Sequence, residues 1–321
     1  MWIVPEAEIA GLMDAEAAYA AVEQVFVAMA RREAWNFPVV RETLGHAGAV
    51  YGFKSGFDRA GLVLGLKSGG YWPGNADRGL TNHQSTVVLF DADTGRPSAL
   101  VGGNLLTALR TAAASAVSIR HLARRDARVL GMVGAGHQSA FQMRAAAAQR
   151  DFERVVGWNH HPEMLPRLAE TAGELGLPFE AVTLEALGAQ ADVIVTITSS
   201  FAPSLMDAHV RPGTHLACMG TDTVSKQEVE AALLARARVF TDEVAQSVTL
   251  GEAQHAVAAG LLAESDMTEI GAVVNGSAEG RRSDDEITVF DGTGVGLQDL
   301  AVAARALDLA RARGVALEVD L

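Results

Sequence analysis

Four cationic residues occupy positions where a surface charge is unexpected. Lys67 follows the apolar run Leu62–Leu66 and leads into a glycine turn, and Lys54 ends the segment VYGFK. Arg41 follows FPVV, and Arg110 lies within LLTALRTAAASA. Guanidinium groups bind carboxylates in bidentate geometry, and a lysine near other cations has a lowered pKa suited to proton transfer. Each residue could instead be a snorkelling side chain or half of a surface ion pair, but together they favour a carboxylate-binding site.

Asp222 is the candidate acid that would face these cations. It lies in GTDTVSKQE, directly after GTHLACMG, an apolar segment that predicts a buried strand. Ligands of open α/β sheets bind beyond the carboxyl ends of the strands, which is where this carboxylate is expected. The same position also suits a helix N-cap, and both interpretations stay open on the residues alone.

Residues 129–140, VLGMVGAGHQSA, predict a turn that binds a pyrophosphate. Gly134 permits a tight turn after the strand, and Gly136 lets the backbone approach a phosphate at a helix N-terminus. Ser139 occupies the third fingerprint position, where a small residue allows close packing. A second strand, Arg154–Trp158, follows at the distance expected of a βαβ unit. The alternative is a glycine-rich turn in another α/β fold.

The residue that follows the second strand bears on the choice of cofactor. An acidic residue there would bind the ribose 2′-hydroxyl and repel a 2′-phosphate. The sequence has Asn159, His160 and His161 instead. Asn159 can hydrogen-bond a hydroxyl without repelling phosphate, and no arginine is present to bind one. The pattern favours NAD and leaves NADP open.

These residues fall in two regions of different pattern. The first third predicts an α+β region, whereas from Ala127 strands and helices alternate, as is typical of a parallel sheet with crossover helices. The expected helices are 14–32 with Asp14 as N-cap, Leu106–Ala123, 138–149, 163–174 and the amphipathic Gln298–Arg313. The expected strands include a hairpin of Val50–Lys54 with Leu62–Lys67, then Gln84–Asp91, 127–134, Arg154–Trp158, 191–198 and 213–220, and residues 275–286 are expected to form an exposed loop.

Composition narrows the class of partner. The chain has 321 residues, 49% of them apolar and 20% charged, with a net charge of −13, which argues against nucleic acid or an anionic membrane as a partner. Cys218 is its one cysteine, so no intrachain disulfide is expected. His215 and Cys218 are expected to be core residues, and the nine histidines show no metal-ligand spacing. The N-terminus has no signal-peptide pattern and no apolar run approaches a membrane span, so a cytoplasmic protein is predicted.

The sequence as a whole resembles the ornithine cyclodeaminase/mu-crystallin family. The likeness is carried, in the family's order, by LGLKSGGYWPGN, by the stretch from DADTG through RTAA to GAGHQSAFQ, by GTDTVSKQE and by EITVFDGTGVGLQDLA. It implies an α/β fold in which a Rossmann-type NAD(P)-binding domain over 119–297 is inserted in an α+β domain. That second domain, 1–118 plus 298–321, would bind substrate and form a homodimer.

The same resemblance implies roles for individual residues. Lys67 corresponds to the catalytic lysine and Asp222 to the catalytic acid, while Arg41 and Arg110 would clamp the substrate α-carboxylate. Which of Lys67 and Asp222 protonates the substrate nitrogen stays open. The positions expected to contact the cofactor are His83, Thr111, Gly134, Gly136, His137, Gln138, Asn159, Ser199 and Met219.

Lys54 distinguishes among the reactions found in the family. Cyclodeaminases carry a glutamate at the aligned position, where it can meet a substrate amino group, and a lysine there would repel ornithine. Arg41, Arg110, Lys67 and Lys54 match a dicarboxylic imino or amino acid. VYGFKSGFD, KSGGYWPGN and GTDTVSKQE also resemble the branch that reduces iminosuccinate to L-aspartate with NADH. The alternatives are a cyclodeaminase-type lyase, an alanine dehydrogenase and a cofactor-dependent binding protein of mu-crystallin type.

Overall fold

A computed structural model describes residues 1–320. The chain forms two compact units. Unit 1 is Met1–Arg110 together with the chain from Val295 onward, and unit 2 is Thr111–Gly294. The boundaries lie at 110/111 and 294/295, a few residues before the predicted 118/119 and 297/298. The first boundary is hard to see in the sequence because it falls inside one continuous helix, Asn104–Leu122.

The strands are numbered in chain order. They are β1 (Trp2–Val4), β2 (Ala34–Asn36), β3 (Val40–Thr43), β4 (Val50–Asp58), β5 (Val63–Tyr71), β6 (His83–Phe90), β7 (Pro97–Gly102), β8 (Val129–Val133), β9 (Arg154–Trp158), β10 (Phe179–Ala181), β11 (Val193–Thr196), β12 (Phe201–Leu205), β13 (His215–Cys218), β14 (Gln227–Val229), β15 (Arg238–Thr241), β16 (Thr268–Glu269), β17 (Thr288–Asp291) and β18 (Leu317–Glu318).

The α-helices are numbered in the same way. They are α1 (Glu6–Leu12), α2 (Ala15–Ala30), α3 (Asn104–Leu122), α4 (Ser139–Ala147), α5 (Pro166–Glu174), α6 (Leu184–Gln190), α7 (Ala231–Arg236), α8 (Val244–Leu250), α9 (Ala253–Ala258), α10 (Ile270–Val274) and α11 (Gly296–Arg313). Short 3₁₀ helices cover Pro73–Arg78, Pro162–Met164, Asp207–His209 and Glu264–Asp266.

Unit 1 is a mostly antiparallel sheet with helices packed on it. The strand order is β18-β1-β7-β6-β5-β4-β2, and β3 pairs with the N-terminal residues of β4, Val50 to Phe53. Helix α11 packs on β4, β5 and β6 and against α2. Asp14 caps α2 by accepting a hydrogen bond from Ala17 N at 2.8 Å, which confirms the predicted cap. The hairpin strands β4 and β5 are each nine residues long, so Lys54 lies mid-strand and not at a strand end.

Unit 2 has a parallel eight-stranded sheet in the order β10-β9-β8-β11-β13-β17-β15-β16. Its central strands β8, β11, β13 and β17 are buried along almost their whole length, as expected of a doubly wound sheet whose faces are covered. His215 and Cys218 of β13 are fully buried, which confirms both as core residues. The Rossmann-type fold predicted from the glycine turn and the alternating pattern is confirmed. Residues 275–286 are mostly exposed, but Arg281 is half-buried and donates to Leu122 O at 2.7 Å.

Candidate active site

In unit 1, strands β4 and β5 place Lys54 and Lys67 directly opposite each other. Side chains of opposed residues lie on the same face of a sheet, with Cβ atoms about 5 Å apart. Both lysines are buried, with 9% and 7% of their surface exposed. Like charges at this separation are destabilising, so neighbouring groups must offset the repulsion.

Asp299 of helix α11 supplies the opposing charge. Lys67 Nζ lies 3.0 Å from both Oδ1 and Oδ2 of Asp299, and Arg110 Nε lies 3.0 Å from Oδ1. Arg110 Nη1 also donates to Gln298 Oε1 at 3.2 Å. Burial alone would raise the pKa of Asp299, but Arg110, Lys67 and Lys54 together hold it below its ordinary value. Asp299 is therefore a carboxylate shared by a lysine and an arginine.

Glycines allow helix α11 to approach the sheet closely enough for this contact. Gly56 and Gly65 form the cross-strand pair next to the lysines. A Cβ on Gly65 would lie 3.0 Å from Leu300 Cδ2, and a Cβ on Gly56 would lie 3.0 Å from Leu297 Cγ. Gly296 lies against β4, where a Cβ would be 2.8 Å from Ser55 N. Larger residues would push the helix outward and take Asp299 away from Lys67.

On the other side of the lysine pair, a row of opposed residues across the sheet has two glycines at its centre. Arg41 of β3 is opposite Gly52, Gly52 is opposite Gly69, and Gly69 is opposite Ser85 of β6. A Cβ would lie 2.0 Å from Val40 O at Gly52 and 2.3 Å from Gln84 O at Gly69, so only glycine fits. Arg41 is exposed at the end of this row. The two glycines therefore let the backbones of β3 and β6 approach β4 and β5 closely on the face that carries the two lysines.

His83 belongs to the same face as Ser85, two residues away on β6. Burial, followed by the charges of Lys67 and Arg110, lowers the pKa of His83 to about 4, although Asp299 opposes the shift. The imidazole is therefore neutral at physiological pH. It can accept or donate a hydrogen bond without adding to the positive charge of the cluster.

In unit 2, the predicted cofactor residues follow neighbouring parallel strands at one edge of the sheet. Gly134 follows β8, Asn159 follows β9, Ser199 lies three residues after β11, and Met219 follows β13. Thr111 is buried on α3, directly after Arg110. Carboxyl ends of parallel strands meet at the same edge, which is where ligands of such sheets bind.

The glycine turn has the properties of a phosphate cradle. Gly134 has φ +108°, and a Cβ there would lie 2.5 Å from Ile197 O. At Gly136 a Cβ would meet nothing within 4 Å, so this glycine faces open space. His137 is exposed beside it, and Gln138 Oε1 is buried without a hydrogen-bond partner within residues 1–320. The open space and the orphaned oxygen fit a dinucleotide at the N-terminus of α4.

Asn159 is hydrogen-bonded at both ends of its amide. Its Oδ1 accepts a hydrogen bond from Ala135 N at 3.1 Å, and its Nδ2 donates to His161 O at 2.8 Å. Both ends of the amide thus support the glycine turn and the loop after β9.

Asp222 is not a helix N-cap. No helix begins there, and the next element within the described chain is β14. Its Oδ1 accepts from Lys226 Nζ at 3.0 Å and from Thr223 Oγ1 at 3.2 Å, and 31% of its side chain is exposed. The carboxylate is held on a loop at the carboxyl edge of the sheet.

Sequence reasoning missed the acidic partner of the cation cluster and the partner of Asp222. Asp299 and Gln298 stand at the buried start of α11, after the glycine-rich turn GTGVG. A polar pair on the buried face of an amphipathic helix was the available signal. Lys226 lies in the same GTDTVSKQE segment as Asp222, and the spacing of four residues was the available signal for their ion pair.

Comparison with known proteins identifies the family. Residues 11–313 match the ornithine cyclodeaminase/mu-crystallin family. The chain belongs to this family. An iminosuccinate reductase of Paracoccus denitrificans is 68% identical over 321 residues, covering 100% of both chains. Its crystal structure in complex with NAD⁺ superposes with a TM-score of 0.96, covering 100% of this chain and 99% of that one.

More distant members of the family carry other activities. The alanine dehydrogenase of Archaeoglobus fulgidus is 34% identical over 240 residues, which is 74% of each chain. An archaeal alanine dehydrogenase dimer with bound NAD has a TM-score of 0.94 at 30% identity, covering 100% of this chain and 99% of that one. Both the family and the likeness to iminosuccinate reductases, predicted from sequence motifs, are confirmed.

Metal-ligand clusters and membrane-spanning helices are both absent from the described part of the chain. Within residues 1–320, no group of three His, Cys, Asp or Glu side chains is arranged to hold a metal ion. In the same range, helices long and apolar enough to cross a bilayer are absent.

Proposed function

We propose that the chain reduces iminosuccinate to L-aspartate with NADH. The observation that carries the proposal is the opposed pair of buried lysines, Lys54 and Lys67. Together with Arg41 and Arg110 they contribute four positive charges, of which Asp299 offsets one. A dicarboxylic imine brings two negative charges and so matches the surplus better than a monocarboxylic one.

The residues of unit 1 have separable tasks in this proposal. Arg110 is fixed by Asp299 and Gln298, so its guanidinium is oriented before substrate binds. Arg110 and Arg41 would hold the α-carboxylate, and Lys54 the second carboxylate.

The chemistry requires a hydride donor and a protonated nitrogen. Bound NADH supplies the hydride, and Gly134, Gly136 and Gln138 would hold its phosphates and neighbouring groups. A protonated imine is the better hydride acceptor, so the chain must keep a proton on the nitrogen. Lys67, positioned by Asp299, and Asp222, positioned on its loop, are the two groups proposed for that task.

Other members of the family motivate the alternatives. A cyclodeaminase acting on ornithine would place a substrate ammonium near Lys54, which is unfavourable. An alanine dehydrogenase has no need for a second buried lysine. A binding protein would not require Lys67 and Asp222 as proton-transfer groups.

The test is NADH and NADPH oxidation with purified protein. Iminosuccinate generated from oxaloacetate and ammonia is compared with pyruvate plus ammonia, and with L-ornithine alone. We expect rapid NADH oxidation with the dicarboxylic imine only. Proline formation from ornithine without net change in NADH would instead show a lyase, and tight cofactor binding without any turnover would show a binding protein.

Lys54→Met is the variant that tests the charge argument. Truncating one partner of a buried charge pair costs about 2–5 kcal/mol, so kcat/KM for iminosuccinate should fall by about 30-fold or more. Turnover of pyruvate plus ammonia, if measurable, should change by only a few-fold. An equal fall on both substrates would remove Lys54 from the recognition of the second carboxylate.

The opposite face of the unit 1 sheet supports a homodimer as part of the proposal. Trp35, Val40, Tyr51 and Phe53 are between 37% and 42% exposed and lie on the face away from Lys54. A contiguous exposed apolar patch of this kind marks an interaction surface. Phe53→Asp should convert a dimer to monomers in light scattering, whereas Leu261→Asp in unit 2 should leave the mass unchanged.

The proposal includes a cytoplasmic location, where NADH and amino-acid metabolism are found. A fluorescent fusion expressed in the source cells would test it, since a signal outside the cytoplasm would contradict it.

A further inference from the structure

The chain carries nearly all of its positive charge on arginine. Three of its 26 lysine and arginine residues are lysines, namely Lys54, Lys67 and Lys226. Two of them form the cross-strand pair of unit 1. An ammonium is a compact charge with three rotatable donors, whereas a guanidinium is a planar fork, so the two are not interchangeable. A lysine at position 226, in a chain that otherwise uses arginine, indicates a contact that needs a point charge.

Lys226 makes two contacts through its ammonium. Nζ donates to Asp222 Oδ1 at 3.0 Å and to Gly220 O at 3.1 Å. It thus joins the carboxylate of Asp222 to the backbone at the end of β13. The lysine side chain is 19% exposed, so the pair is shielded more than an ordinary surface ion pair.

Asp222 lies on the loop between β13 and β14, and the tip of this loop, residues 223–226, is held by groups other than the Lys226 ammonium. Gln254 of α9 accepts from Ser225 N at 2.7 Å and donates to Thr223 O at 3.3 Å. His255 contacts Lys226 O at 3.0 Å through its ring nitrogen. These contacts fix the backbone even at Ser225, whose φ of +71° is unusual for a residue other than glycine.

Two buried glutamates hold the base of the loop. Glu228 accepts from Gly220 N at 2.8 Å and from Thr198 N at 2.6 Å, which joins the ends of β13 and β11. Glu252 accepts from Thr221 Oγ1 at 2.5 Å and from Val229 N at 2.8 Å, which joins the two ends of the loop. The backbone on both sides of Asp222 is therefore held by several groups besides Lys226, and apart from its bond to Gly220 O the ammonium contacts the side chain of Asp222.

We propose that Lys226 is a positioning residue that holds the Asp222 carboxylate in the orientation needed for reduction of the imine. The proposal rests on the proposed function of Asp222. Without Lys226, Asp222 would keep its bond with Thr223 Oγ1 but lose the ammonium that links its carboxylate to Gly220 O, so the carboxylate would be less firmly oriented on the loop. Misplacement of a reacting group by about 1 Å can cost about 100-fold in rate.

A double-mutant cycle tests this assignment. The variants are Lys226→Met, Asp222→Asn and the double variant, each measured for kcat and KM with iminosuccinate and for NADH affinity by fluorescence. We expect Lys226→Met to lower kcat by about 10- to 100-fold, with KM and the NADH Kd within about three-fold of wild type. In the Asp222→Asn background the same change should alter kcat by less than about three-fold, because residues that act as a unit are non-additive.

Two further variants separate positioning from loop stability. Lys226→Arg keeps the charge and should recover part of the lost kcat. Arg282→Met removes an exposed ion pair with Glu279 in the same unit and should have no effect. Equal loss of kcat in both Asp222 backgrounds, or a loss of NADH affinity as large as the loss of kcat, would overturn the proposal.

A crystal structure of Lys226→Met with NAD gives a result that does not depend on turnover. A displaced Asp222 side chain on an unmoved loop would support the positioning role, and an unmoved side chain would overturn it. If the wild-type protein does not oxidise NADH with iminosuccinate, the proposed function fails, and the structure of the variant still decides the role of Lys226.

Discussion

Replacing Asp299 with asparagine should destabilise unit 1 through the two cations it serves. The carboxylate is 1% exposed and lies 3.0 Å from both Lys67 Nζ and Arg110 Nε. The variant keeps the size of the side chain but leaves these cations without their counter-charge. Removing one partner of a buried ion pair costs about 3–5 kcal/mol.

That cost converts into a measurable change in melting temperature. At about 2–4 °C per kcal/mol for a domain of roughly 150 residues, Asp299→Asn should lower the Tm of unit 1 by about 10 °C. Differential scanning calorimetry at pH 7 would measure the change. Asp308→Asn is the matched control, because Asp308 is an exposed residue of the same helix and should shift stability by less than about 0.5 kcal/mol.

The pH dependence of the Tm difference adds a second check. The pKa of Asp299 is lowered from 3.8, so its contribution is fully present above the ordinary value and is lost as pH falls through the folded-state pKa. The Tm difference between wild type and variant should therefore be constant between about pH 5 and pH 8 and narrow only below 3.8. A Tm equal to that of wild type at pH 7 would refute the view that Asp299 stabilises the lysine pair.

Two further predictions concern unit 2. Gly136→Val should weaken NADH binding by about 100-fold or more with little change in Tm, because its side chain would fill the open cradle. Gly134→Ala should instead lower the Tm, because its Cβ would meet Ile197 O. Titration with NADH and calorimetry distinguish the two variants, and equal behaviour would contradict the cradle. Burial and the charge of Glu228 raise the pKa of Glu252 from 4.5 to about 8, so the folded state binds the extra proton and stability should fall as pH rises from about 4.5 to 8. Glu252→Gln should flatten that fall in denaturant titrations at several pH values, and an unchanged slope would show that another group is responsible.

The fold was predictable where sequence pattern and local chemistry agree. The alternation after Ala127 and the glycine turn indicated the parallel sheet, and Asp14 indicated the start of α2. The ends of β4 and β5 were predicted less accurately. Both strands continue through glycines and a lysine, which weaken the period-two pattern of apolar residues. The first domain boundary lies within α3, where helical periodicity is unbroken.

The cations of the site could be found from sequence, but their arrangement could not. Lys54 and Lys67 were recognised as unusual residues, yet their direct opposition depends on the register of the hairpin. Asp299 contacts Lys67 across 232 residues of sequence, and no local pattern reports such a contact. Asp222 looked equally like a helix N-cap because residue type alone does not show whether a helix follows.

The 232 residues between Lys67 and Asp299 also determine when this contact can form during synthesis on the ribosome. Strands β4 and β5 emerge early, but the helix that covers them is among the last segments made, after the whole of unit 2. At about 5–20 residues per second, Lys67 waits roughly 10–50 s for Asp299. During that interval the ion pair between Lys67 and Asp299 cannot form, so this contact is one of the last to be completed in unit 1. A chain that stops short of α11 would include the glycine cradle of unit 2 but lack Asp299, which contacts both Lys67 and Arg110.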